Sequence, residues 1–66
     1  MIQFNKITGQ LVWLVYNDDE FCGKLYQSIP SLEWTFVRAG DHQRFPFGRL
    51  TEDGARWKVK DIINLK

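Results

Sequence analysis

Polar and apolar positions alternate in short blocks along most of this chain. Six consecutive apolar residues, Leu11-Val12-Trp13-Leu14-Val15-Tyr16, break the alternation. A strand sends successive side chains to opposite faces, so Leu11, Trp13 and Val15 point one way and Val12, Leu14 and Tyr16 the other. Both faces of this strand want cover, and a short chain has little material to supply it.

The blocks on either side read as further strands. Ile2-Gln3-Phe4 is a short one, and Asn5 to Gln10, with Gly9, connects it to the apolar strand. Asn17-Asp18-Asp19-Glu20 is a polar turn. Phe21 to Gln27 is the next strand, with Phe21 and Leu25 on one face and Cys22, Lys24 and Tyr26 on the other. Gly23 inside it signals a bulge or a close backbone approach. Ser28 to Ser31, with Pro30, forms a loop. Glu33 to Arg38 then alternates cleanly, Trp34 and Phe36 against Thr35 and Val37. Arg44 to Leu50 holds Pro46, which has no amide hydrogen and belongs on an edge strand.

The last segment supports two readings. Asp53-Gly54 between apolar stretches is a hairpin signal, and Trp57-Lys58-Val59-Lys60 alternates like a strand. Against that, Thr51 is a good N-cap, with Glu52 and Asp53 placed to favour a helix N-terminus. Ala55, Val59, Ile62 and Ile63 share one helical face, and helix is preferred. The expected fold is α+β: one small domain over residues 1–66, an antiparallel meander of four to five strands followed by one C-terminal helix. A small all-β barrel is the alternative.

At 66 residues the chain is one domain. With 44% hydrophobic and 15% aromatic residues it can form a core, though one this small rarely contributes more than about 3–5 kcal/mol. A lone cysteine cannot pair within the chain and points to a reducing, cytoplasmic setting. The start lacks a signal peptide, and a six-residue apolar run is far below the roughly 20 needed to span a membrane. The expectation is a freestanding soluble polypeptide of the kind met among phage and mobile-element genes, with no membrane partner.

Net charge is +1, which argues against a partner chosen by bulk electrostatics. The distribution is uneven. Residues 1–33 hold two bases and four acids, residues 34–66 seven bases and four acids, and all four arginines lie in the second half.

Chemistry is poorly supplied. His42 and Cys22 are the single histidine and cysteine; His42 sits in a turn, and Cys22 reads as a small buried hydrophobe rather than half of a dyad. One His and one Cys cannot make a structural zinc site, and Asp18-Asp19-Glu20 lacks EF-hand spacing. No phosphate-loop glycine pattern occurs. No catalytic residue, metal, cofactor or small-molecule substrate is expected.

Two binding readings remain. In the leading one, a protein partner or a second copy of the chain is bound. Trp57 lies off the apolar helix face beside Lys60, with Arg56 adjacent, and Val12, Leu14 and Tyr16 form the sheet face left over if the helix covers Trp13 and Val15. An apolar side chain left wet forgoes roughly 1.5–3 kcal/mol, which favours some cover. The N-terminal strand curling over that face is the other way to provide it.

In the alternative, Trp34-Thr35-Phe36-Val37-Arg38 and Arg44-Phe45-Pro46-Phe47-Gly48-Arg49 interleave aromatic and basic residues, a pattern that can bind nucleic acid. The competing view makes these rings core. Phe45 to Thr51, with Ala55 and the Val59/Ile62 face, resembles a strand–turn–helix of three-stranded-sheet-plus-helix DNA-binding domains, the AP2 and tyrosine-recombinase arm-binding types. The resemblance covers about residues 33–63 and implies DNA contacts by Trp34, Arg38, Arg44 and Arg49. The chain departs from it in a shorter Gly48-to-Ala55 link and in its near-neutral charge.

Overall fold

The computed structural model describes residues 1–64. Five strands run β1 (Ile2–Lys6), β2 (Val12–Asn17), β3 (Glu20–Gln27), β4 (Glu33–Arg38) and β5 (Arg44–Arg49), followed by α1 (Glu52–Asn64). They form one antiparallel sheet in the order β1-β2-β3-β4-β5. The fold is therefore the expected α+β meander with a C-terminal helix. β1 and β5 are the two edges of an open sheet, so the barrel alternative does not hold, and Pro46 lies on an edge as its missing donor requires.

Short turns set this topology. Asp18 and Asp19 alone join β2 to β3, with φ of 49° and 73°. Two successive positive φ values give the mirror-image turn whose twist matches that of paired strands. The helix, rather than a hairpin, wins at the C-terminus because Thr51 caps it. The Thr51 hydroxyl accepts from the Gly54 amide at 3.0 Å, and the Thr51 carbonyl from the Ala55 amide at 3.0 Å.

The helix packs on one sheet face. Trp13, Val15, Leu25, Trp34, Phe36, Ala55 and Val59 form the buried core. Ile62 and Ile63 pack against its margin, completing the predicted helix stripe. Trp13 and Trp34 meet with ring centroids 5.1 Å apart and planes tilted by 45°.

Two bulges interrupt the alternation. Val15 pairs with Gly23 and Tyr16 with Phe21, leaving Cys22 as the extra residue of β3. This corrects the facing read from the sequence: Phe21 and Leu25 do not share a face. Leu25 is buried under the helix, Phe21 moves to the opposite side with Tyr16, and Cys22 packs at the core margin. Gly23 makes the bulge possible. A side chain there would meet the Val37 carbonyl and approach the Phe36 ring to 2.9 Å, at a φ of 148°. In β5, Trp34 pairs with Gly48 and Thr35 with Pro46, so Phe47 is the extra residue, and it too packs against the core.

Candidate functional site

Cross-strand partners share a face, so the register defines what the helix leaves bare. One row crosses the sheet as Asn5, Leu14, Lys24, Val37 and Arg44. A second runs through Val12, Tyr26, Thr35 and Pro46. At one end Gln3, Tyr16 and Phe21 are aligned. The Tyr16 and Phe21 rings pack together at 5.5 Å, and Phe21 remains 45% exposed.

The N-terminal strand does not fold over this surface. It extends the sheet sideways, and its apolar residues Ile2 and Phe4 pack on the helix side. Val12, Leu14 and Tyr16 thus stay on the open face, each half-buried by its neighbours. An open concavity of about 690 Å³ lies there, with Val12, Phe21, Tyr26 and Val37 among its apolar lining and Lys24, Arg38, His42 and Arg44 among its polar lining.

The charges on this face are one-sided. Lys24 and Arg44 flank Val37 in one row, both exposed, and among the described residues neither forms an ion pair. Arg49 pairs in register with Glu33 at a far corner, and its Nε donates to the Ser31 carbonyl at 2.9 Å.

Of the residues proposed for nucleic acid, Arg38 and Arg44 both line the concavity, while Trp34 and Arg49 lie apart from it. Trp34 is 2% exposed, and its indole donates to the Leu50 carbonyl at 2.9 Å, so its ring has no face for a base. Arg38 pairs with Gly23 on the helix side. Its guanidinium lies 5.2 Å from the Phe45 ring centroid and donates to Asp41 from Nε at 3.2 Å and from Nη2 at 2.5 Å. That guanidinium, with the Gln43 amide next, holds the Asp41 carboxyl down at about 2. By register only Arg44 and Arg49 of the four face the open side, and Arg38, at the end of its strand, reaches the edge of the concavity.

The residues expected to bind a protein partner also divide. Trp57 is 67% exposed on the outer side of the helix, with Lys60 Nζ 5.7 Å from its ring centroid. Arg56 is engaged within the fold. It donates to Glu52 at 2.6 Å and its guanidinium lies 5.3 Å from the Phe4 ring centroid. The helix and the open sheet face lie on opposite sides of a two-layer molecule, so one flat partner cannot touch Trp57 and Leu14 together.

Lys24, Phe21, Tyr26, Val37 and His42 belong to the open-face site and escaped the sequence reading. Strict alternation placed Phe21 on the wrong side, and the bulge signal at Gly23 was the clue. The surroundings of Cys22 disfavour its thiolate. Burial, followed by the Glu20 charge, raises its pKa, and its Sγ donates to the Glu20 carbonyl at 3.5 Å. Among the described residues no three metal-ligating side chains cluster and no helix is long and apolar enough to cross a membrane.

No family model, curated protein or solved structure matches this chain.

Proposed function

We propose that this chain is a small, non-enzymatic binding module that docks a protein through the open face of its sheet, in the cytoplasm. The observation that carries the reading is the uncovered tract of Val12, Leu14, Tyr16, Phe21, Tyr26 and Val37. Contiguous apolar surface of this kind marks interaction sites, and a marginal domain gains by covering it. The lone thiol of Cys22 supports the compartment. Trp57 on the helix is a separate, smaller candidate anchor.

Nucleic acid is the second reading, favoured by one observation: among the described residues the open face holds Lys24, Arg44 and Arg49 against Glu33 alone. Sedimentation velocity of the purified chain at low and high salt, with and without a mixed-sequence DNA fragment, separates the two. The protein-docking reading expects no DNA complex. A complex that weakens steeply with salt overturns it.

A further inference from the structure

We infer that the occupant of the open sheet face is an acidic amphipathic protein segment, whose apolar side chains seat around Val37 and Leu14 while its carboxylates meet Lys24 and Arg44. This rests on the reading above that the face is an interface, and it names the partner's chemistry.

The row Leu14–Lys24–Val37–Arg44 carries the argument. Lys24 and Arg44 stand on either side of Val37, two strand spacings apart, on the order of 10 Å. Both are exposed and, among the described residues, without an acidic partner. Arg38, by contrast, is held by Asp41. The face therefore offers two unneutralised cations with an apolar residue between them, above a concavity lined by Val12, Tyr26 and Val37. The complement is a pair of carboxylates about 10 Å apart with apolar side chains between. A helix supplies that spacing with acids two turns apart and leucines on the turn between them.

Charge also disfavours a second copy. In a two-fold interface the same patch faces itself. A patch holding Lys24, Arg44 and Arg49, with Glu33 its sole acid among the described residues, would then face a patch of the same sign, and like charges brought together are costly. The aliphatic centre disfavours nucleic acid. Val12, Leu14 and Val37 offer no ring for a base, and two of the face's aromatics, Tyr16 and Phe21, are packed on each other.

The test is an NMR titration of the full-length, isotope-labelled chain. Three probes are used: an amphipathic helical peptide with glutamates two turns apart and leucines between them, its lysine-for-glutamate counterpart, and a thymidine oligonucleotide of equal length. The acidic peptide should shift the amides of Leu14, Lys24, Val37 and Arg44, and the other probes should not. Binding should weaken with salt and fall by more than about tenfold in the Lys24→Glu/Arg44→Glu double variant. Both sites are exposed, and signal dispersion verifies the fold. Equal binding of the basic peptide overturns the inference, as do oligonucleotide binding on this face, self-association through it, or no shift with any probe. Oligonucleotide binding or self-association there would leave the face an interface, though not for an acidic protein. Acidic-peptide shifts confined to the Trp57 side of the helix would overturn both the inference and the proposed docking face.

Discussion

The indole N–H of Trp34 donates to the carbonyl of Leu50 across 2.9 Å, linking the middle of the sheet to the residue that leads into the helix cap. Trp34 also packs on Trp13, so this one side chain ties the segment leading into the helix to the core beneath it. Replacing Trp34 with Phe keeps most of the ring and removes the donor, stranding a part-buried carbonyl. We expect a loss of about 1–3 kcal/mol in urea unfolding.

Gly23→Ala should be more damaging than its size suggests. The new methyl would run into the Val37 carbonyl and the Phe36 ring, at a backbone angle that side chains rarely adopt. A loss above about 2 kcal/mol, or failure to fold, is expected in thermal melts. Gly40→Ala is the control: nothing lies within 4 Å, so only the cost of its φ of 93° applies.

Leu32 holds a φ of 62° in the loop between β3 and β4, with its side chain 49% exposed. A leucine gains nothing from that conformation, whereas asparagine tolerates it. Leu32→Asn should raise stability by about 0.5–1 kcal/mol, read from the denaturation midpoint.

Asp41 gives a pH dependence with a definite sign. Its folded-state pKa of about 2 lies below the ordinary 3.8, chiefly through its hydrogen bonds from Arg38. A depressed carboxyl pKa stabilises the fold above the unfolded value. That contribution is complete above about pH 4 and disappears as pH falls through about 2. A carboxyl-carbon NMR titration of Asp41 should show the low value, and Arg38→Gln should return it toward 3.8.

The two faces of β2 should respond differently to the same chemistry. Val15 is fully buried, and Val15→Thr places a hydroxyl in the core, at a cost of about 1–3 kcal/mol. Leu14→Thr on the open face should cost less than about 1 kcal/mol in the isolated chain. It should nevertheless abolish docking of the acidic peptide, measured by the same NMR titration.

Most of the architecture was legible because its signals are local. The turn residues Asp18 and Asp19, the edge proline Pro46, and the Thr51 cap with the Ala55/Val59/Ile62 stripe each fix an element from nearby sequence alone. The open face was only half legible. Val12, Leu14 and Tyr16 follow from alternation within one strand. Lys24, Val37 and Arg44 join them only through register, which depends on three strands at once. Phe21 was misplaced because one extra residue, Cys22, reverses the facing of everything before it in β3. Trp34, by contrast, is an aromatic flanked by polar residues whether it faces DNA or a core. Only its bond to Leu50 and its burial decide between the two.

The meander order has a consequence for how the chain comes to fold. Every strand pairs with its neighbour in sequence, so the sheet can assemble hairpin by hairpin without closing a long loop. The helix follows the last strand and can dock only once the strands beneath it are laid down. Until it does, both sides of Leu11–Tyr16 are bare, and a six-residue apolar strand without charge or proline is a hazard for aggregation. The C-terminal helix thus acts as the chain's own chaperone for one side of the sheet. The other side has no such guardian within the described residues; there the exposed charges of Lys24 and Arg44 stand against the stacking of like sheets.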